Sequence, residues 1–280
     1  MIYRSLLVLL DHDAQCASRV RAVIGLAKAL DCHLVGLAPT DLVDLSSAPR
    51  AAASMAERAA LVRDALLDQA ERAAGQFRDA CSRDGLRSFE TVIDECDPAQ
   101  SLVRHSRCSD LVALSQADPS SPRHAVAQAL VERVVLGSAR PTLLIPYAGR
   151  FDAIGSQMMV AWDDSREATR AVADALPLLR NAKRVQVVSW KEHDARSADA
   201  LRASLDALGR WLVWHGVDAE LRIETPSAGI ADAMLSHAAD AGVDMIVMGA
   251  YGHARWLERV LGGATRGLLA SMTVPVLMSH

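Results

Sequence analysis

The sequence predicts an α/β protein built from two doubly wound domains in tandem, each with a parallel sheet of about five strands. Three observations carry this. Short apolar runs alternate with amphipathic stretches of helical period along the whole chain, the pattern of parallel strands joined by helical crossovers. That pattern occurs twice, at long range. Each occurrence closes on a proline followed by an apolar run, Pro141-Thr-Leu-Leu-Ile and then Pro275-Val-Leu-Met.

Taken in order, the first strand of each half is an apolar run ending in an aspartate: Leu6-Leu-Val-Leu-Leu-Asp11, matched by Met158-Met-Val-Ala-Trp-Asp163. Helical periodicity follows at Cys16 to Leu30 and at Glu167 to Leu179. Second strands are His33-Leu-Val-Gly-Leu and Val185-Gln-Val-Val-Ser. Long helices rich in Ala and Arg come next, from about Ala52 to Arg83 and from Ala198 to Trp214. The first of these is expected to be broken, or preceded by a mobile connection around Ser46 to Ala53. Phe89 to Ile93 and Ala219 to Ile223 read as third strands. Helices at Ala99 to Ser106 and Ala228 to Ala239 then lead to the fourth strands, Asp110-Leu-Val-Ala-Leu and Asp244-Met-Ile-Val-Met. One further helix and the proline-marked strand end each half. The domain limits read as 1–148 and 154–280, with Gly149 and Gly155 at the junction. Ligands of such sheets sit beyond the carboxyl ends of the strands, where the strand order reverses.

Bulk composition narrows the classes. The 280 residues allow about two domains. A hydrophobic fraction of 51% with 23% charged residues fits a packed soluble protein. The net charge of −4 argues against a nucleic-acid surface. No apolar run approaches the roughly 20 residues of a membrane span. The opening Met-Ile-Tyr-Arg-Ser-Leu-Leu-Val-Leu-Leu has no small-residue cleavage site and is interrupted by Asp11 and Asp13, so it reads as a strand, not a signal peptide. The expected location is the cytoplasm. The five cysteines (Cys16, Cys32, Cys81, Cys96 and Cys108) contain no C-x-x-C, and no Cys/His cluster has zinc spacing. They read as reduced thiols.

The stretch richest in chemistry starts at the fourth strand of the second half. The run from Met245 to Met248 breaks at Gly249 and Gly252; Gly262-Gly263 follows, then a helix start carrying Ala264 and Thr265. Glycines admit close backbone approach, and helix-start amides offer unpaired donors, a combination that captures anions. No G-x-G-x-x-G fingerprint follows a first strand, and no G-x4-G-K-[ST] loop occurs. The spacing Gly249-x2-Gly252-x9-Gly262 resembles the nucleotide loop of the universal stress protein family, and with the repeat the resemblance extends over nearly the whole chain as a tandem of two such domains. Two positions depart from it. Gly263 stands where the family usually carries Ser or Thr, and Asp164 stands where it often has glycine.

The resemblance implies ATP, with Mg²⁺ as a companion ion, in the second half. Asp163 with the backbone of Ala161 and Trp162 would meet the adenine and ribose, Val188 would line the base pocket, and Met248 with Gly249 would pass under the ribose. Gly252, His253, Gly262, Gly263, Ala264 and Thr265 would hold the phosphates. Each residue has a plainer reading. Asp163 can cap the following helix together with Ser165, His253 can belong to a solvated loop face, and Trp190 can be core rather than a stacking partner. The fluorescence of Trp162 and Trp190 is expected to report on the base pocket.

The first half offers no such loop. Its fourth strand exits into Ser115-Gln-Ala-Asp-Pro-Ser-Ser-Pro122, without glycine. Gly137-Ser138 lies just before Pro141, where it reads as a helix stop. This half is expected to have lost nucleotide binding and to serve as a structural or partner-binding half. No G-x-S-x-G elbow or paired base marks an enzyme. The leading expectation is therefore a nucleotide-responsive stress or signalling factor, with a slow ATP hydrolase and a nucleotide-free scaffold as rivals. The last strands would be exposed edges if each domain stood alone. The resemblance implies that they pair across a pseudo-two-fold; a protein partner of unspecified kind and a further homodimer are the remaining expectations.

Overall fold

The computed structural model describes residues 2–40, 53–191, 198–226, 229–251 and 263–280. The first half runs β1 (Ser5–Leu9), α1 (Cys16–Leu30), β2 (His33–Pro39), α2 (Ala53–Arg83), β3 (Phe89–Asp94), α3 (Pro98–Ser106), β4 (Leu111–Ser115), α4 (His124–Gly137) and β5 (Thr142–Ile145). The second runs β6 (Gln157–Ala161), α5 (Arg166–Leu179), β7 (Arg184–Trp190), α6 (Ala198–Trp214), β8 (Glu220–Glu224), α7 (Ile230–Asp240), β9 (Met245–Gly249), α8 (Gly263–Ser271) and β10 (Val276–Ser279). The repeat read from the sequence is thus a repeat of structure. The expected break in the long helix is absent, since α2 continues for 31 residues from Ala53; the suggested connection from Ser46 up to that point lies outside the described residues. Gly137 is the last residue of α4, as a helix stop should be.

All strands belong to one ten-stranded sheet in the order β3-β2-β1-β4-β5-β10-β9-β6-β7-β8. Within each half the order is 3-2-1-4-5 and every pairing is parallel. This is the doubly wound Rossmann order 3-2-1-4-5-6 without its sixth strand. It sets the first strand of each half directly beside the fourth. The halves join through the sole antiparallel pair among the described residues, β5 with β10, in the register Leu144–Val276, Leu143–Leu277 and Thr142–Met278. The two last strands therefore cover each other's edges, and any further self-association has to use another surface.

Both faces of the sheet are covered, so its central strands are continuously apolar. One core lies under α1, α2, α5 and α6, the other under α3, α4, α7 and α8. Each core draws residues from both halves across the seam: Leu143, Ile145 and Leu277 in the first, Leu144, Val276 and Met278 in the second. Polar ties reinforce it. The Tyr3 hydroxyl donates to the carbonyl of Asp174 at 2.7 Å, and Gln116 Nε2 to that of Leu269 at 2.9 Å. Local chemistry starts the helices. Asp97 accepts from the Gln100 amide at 2.9 Å with Pro98 at the first helical position of α3, and Ser165 does the same for α5. Among the described residues no helix is long and apolar enough to cross a membrane.

Candidate functional site

The reversal of strand order in the second half falls between β6 and β9. Ala161, the last residue of β6, pairs with Val188 of β7 on one side and with Met248 of β9 on the other. Val188, Ala161 and Met248 thus form one row across three parallel strand ends. All three are buried and belong to the core under α7 and α8. Here the geometry brings together residues that lie up to 87 positions apart in the chain.

Side chains alternate along a strand, so Trp162 turns to the opposite face from Ala161. Its indole Nε1 donates to Ser204 Oγ on α6 at 2.9 Å. Its backbone amide donates to the Val188 carbonyl at 2.9 Å, and its carbonyl accepts from the Ser189 hydroxyl at 2.6 Å. Trp162 is therefore a clamp between β6, β7 and α6, with its backbone at the end of β6 and its ring on the face opposite Ala161. Trp190 has the parity of Val188 and packs against the same core. Its Nε1 is buried and finds no hydrogen-bond partner.

Asp163 is exposed at the turn beyond β6, and its Oδ1 accepts from the Ser165 amide at 3.1 Å and hydroxyl at 2.6 Å. Ser165 Oγ in turn accepts from Ala168 N at 3.1 Å, which caps α5. The capping role weighed for Asp163 is thus present, through Ser165. Asp164 adopts φ 61°, the left-handed region. That is the conformation glycine takes without penalty and aspartate tolerates better than most residues, so its backbone keeps the turn that a glycine would make.

Gly249 has a structural reason of its own. A Cβ there would stand 2.5 Å from Ala168 N and 2.6 Å from the carbonyl carbon of Glu167, so only glycine lets the first turn of α5 rest on the end of β9. Beyond it, Ala250 N donates to Ser279 O at 2.9 Å, and Tyr251 takes φ 61°. The Tyr251 amide points to Thr265 Oγ1 at 3.4 Å, and Thr265 is buried. This contact ties the exit of β9 to the first turn of α8, which Gly263 opens and in which Ala264 is half-buried. The Thr265 hydroxyl has this internal role besides any role toward a phosphate. Gly252, His253 and Gly262 lie outside the described residues. Tyr251 also lines a cavity of about 60 Å³ between the halves, with His124, Gln128 and Glu132 of α4 facing Arg266 and Leu269 of α8. Its buried hydroxyl has no partner, and burial followed by the Glu132 charge holds the phenol well above its usual range.

The equivalent crevice of the first half, between β1 and β4, is filled from within. Arg19 on α1 is 1% exposed. Its Nε donates to the Leu9 carbonyl at 3.0 Å, Nη1 to Ser115 Oγ at 2.6 Å, and Nη2 stands 2.9 Å from Asp11 Oδ1. Burial works against the guanidinium charge, and the Asp11 carboxylate more than offsets it. Asp13 and Asp118 line the same crevice, and burial and then Asp11 raise the Asp13 carboxyl above its usual range. Sequence reasoning did not single out Arg19. The available signal was an arginine three residues into a helix that follows a strand-end aspartate. Among the described residues no group of three or more His, Cys, Asp or Glu side chains is arranged to hold a metal ion.

Residues 156–280 match the family model of the universal stress proteins. The match falls on the second half alone. No curated protein matches the chain. Among solved structures, a universal stress protein from Archaeoglobus fulgidus DSM 4304 is similar with a TM-score of 0.74 at 17% identity, over 98% of this chain and 95% of that one. A functionally unknown protein from Pseudomonas aeruginosa PAO1 is similar with a TM-score of 0.58 at 15% identity, over 99% of this chain and 92% of its own. At these identities the likeness is one of fold, and it runs through both halves.

Proposed function

We propose that the universal stress protein domain of the second half binds an adenine nucleotide, ATP, and that the chain is a nucleotide-responsive stress or signalling factor with a single such site. The observation that carries this is the buried row Val188–Ala161–Met248 at the strand-order reversal, beside a helix start tethered to the exit of β9. The row offers an apolar floor to a planar base. The unpartnered Trp190 Nε1, two residues beyond Val188 on the same face, is a spare donor for a base nitrogen and costs about 1–3 kcal/mol while unpaired. Asp163 accepts from ribose hydroxyls, and the amides at the start of α8 are donors for phosphate oxygens. Mg²⁺, when bound, would supply positive charge that offsets the repulsion between the phosphates and the carboxylates of Asp163 and Asp164. Arg19 supports the limit of one site, because it occupies the matching crevice of the first half. We assign residues 1–148 and 154–280 to the two domains on this basis, the first being the structural or partner-binding one.

Isothermal calorimetry of the full chain with ATP and Mg²⁺ tests the reading, alongside Gly252→Asp and Trp190→Phe. The expected result is about one ATP per chain, abolished in the first variant and weakened about tenfold in the second. A folded wild-type protein that takes up no ATP at millimolar concentration would leave the scaffold reading in its place.

A further inference from the structure

The face of the sheet that carries Val188 and Trp190 also holds a polar chain, buried at Gln186 and His237 and exposed at its far end, that the nucleotide reading leaves unused. His237, in the last turn of α7, sets Nδ1 2.7 Å from Glu224 Oε1 of β8 and Nε2 3.2 Å from Gln186 Oε1 of β7. Gln186 Nε2 donates to Glu220 Oε2 at 2.8 Å. Arg184 and Arg222 close on Glu220 from either side, at 2.9 Å and 2.5 Å. Gln186 is 1% exposed and His237 is 9% exposed.

The direction of each hydrogen bond follows from the chemistry of its ends. Hydrogen bonds from Gln186, Arg184 and Arg222 hold the Glu220 carboxyl down at about 2, so it is ionised and only accepts. The Gln186 amide must therefore turn its NH₂ to Glu220 and its oxygen to His237, because the flipped amide would set oxygen against carboxylate. An amide oxygen accepts only, so His237 Nε2 must carry a proton. Glu224, as a carboxylate, accepts only, so Nδ1 must carry one too. A neutral imidazole has a single N–H and would leave one of these two contacts, the one to Gln186 fully buried and the one to Glu224 half-buried, as acceptor against acceptor.

We propose that His237 is a doubly protonated latch, an imidazolium that pins α7 to the β7–β8 edge of the sheet and releases it on losing a proton. The surrounding charges agree. On β8 and β7, Arg184 and Arg222 are spent on Glu220, which leaves Glu224 facing His237. On α7 itself the charged neighbours are Asp232 and Asp240, both acidic, and a cation in the last turn meets the negative end of the helix dipole. The charged residue of α8, Arg266, lines the cavity toward α4. What the latch holds is a wall of the candidate crevice, since Ala231, Met234 and Ala238 of α7 pack in the same core as Val188, Ala161 and Met248.

The test is two-bond ¹H–¹⁵N correlation of the histidine rings in the labelled full chain, with the His237 signal assigned by its loss in His237→Gln. The expected pattern at pH 7 has protons on both His237 nitrogens. In Glu224→Gln, an edge-strand change that keeps the side-chain shape, the second proton leaves at lower pH. A neutral single-tautomer pattern at pH 7 in the wild type overturns the latch, and so does a titration that Glu224→Gln leaves unmoved. A second arm rests on the nucleotide reading: ATP affinity falls several-fold as His237 deprotonates, and Glu224→Gln shifts that fall to lower pH. Absence of ATP binding at every pH would sink that reading while the ring spectra still decide the latch.

Discussion

Arg19 Nη1 donates to Ser115 Oγ at 2.6 Å across the crevice of the first half, whereas Gly249, at the matching strand end of the second half, receives the first turn of α5 in van der Waals contact. Aligning Arg21-Ala22-Val23 of α1 with Arg170-Ala171-Val172 of α5 sets Arg19 against Ala168, the residue whose amide nitrogen a Cβ on Gly249 would strike. One repeat has therefore exchanged a glycine and an alanine for a serine and a buried cation, and the two crevices have parted in chemistry. The first is filled by a cation whose Nη2 is paired in charge with Asp11 at 2.9 Å but makes no hydrogen bond, while the second keeps a spare buried donor at Trp190.

The first prediction follows from that cation. Arg19→Met keeps much of the buried stem but strands the Leu9 carbonyl and leaves Asp11 without its cation. Removing one member of a buried pair costs more than the pair itself contributes, so a loss of about 3 kcal/mol is expected from urea unfolding at pH 7. Nucleotide stoichiometry by calorimetry should stay at one per chain, because the vacated crevice still presents Asp11, Asp13 and Asp118.

Gly249 and Asp164 give an opposed pair. Gly249→Ala drives a methyl into the backbone of α5 and is expected to cost about 2 kcal/mol in the nucleotide-free protein. Asp164→Gly relieves a left-handed backbone and is expected to stabilise by about 1 kcal/mol. It also removes a negative charge beside the proposed phosphates, so ATP affinity should rise several-fold. Thermal melts with and without ATP separate the two effects. A stable Gly249→Ala protein would mean that α5 can shift, against the close contact seen here.

Much of this was legible in the sequence, and what was not has physical reasons. Helices at Cys16–Leu30 and Ala198–Trp214 end where their periodicity ends. Strand limits moved by a residue or two, as at Arg184–Trp190, because the hydrogen-bonded ladder outruns the apolar run. Val188, Ala161 and Met248 each stand out in the sequence as candidate site residues, but only the pairing register sets them in one row. The backbone of Trp162 stands beside Ala161 at the end of β6, while period-two alternation sends its ring to the opposite face, against Ser204 of α6. Arg19 and His237 were not legible at all. Each is a polar residue inside a helical pattern, and its meaning depends on partners such as Ser115, 96 positions away, and Gln186, 51 positions away.

Asp97 carries a prediction about acid. Its carboxyl caps α3 and pairs with Arg133 of α4 at 2.8 Å. Burial pushes it up, but hydrogen bonds from Arg133 and then from the Gln100 amide outweigh that and leave it below the usual carboxylate range. A folded-state value below the unfolded one means stability that is present above about pH 4 and lost as pH falls through the lower, folded value. Asp97→Ala is expected to cost about 1 kcal/mol at pH 7. Its difference from the wild type should shrink once the pH drops below 4, as read by urea midpoints across pH 2.5–7. A difference that stays constant over that range would assign the effect to packing instead of charge.

The seam between the halves predicts how the chain unfolds. Leu143 and Leu277 face each other in the antiparallel pair of β5 and β10, and both are fully buried. They belong to a core that also contains residues of α1, α2, α5 and α6, so neither half has a complete core without the other's last strand. Two independently stable domains would melt in two transitions, whereas a shared core couples them into one. Calorimetric melting of the full chain is therefore expected to give a single transition. Leu277→Ala should lower it as one unit, by about 2–4 kcal/mol of stability, and signals from both halves should move together. The tryptophans make this directly readable, because all five lie in the second half and Tyr3 lies in the first. Tryptophan fluorescence that changes at a different temperature from hydrogen exchange in α1 would show that the seam is an interface between separable domains.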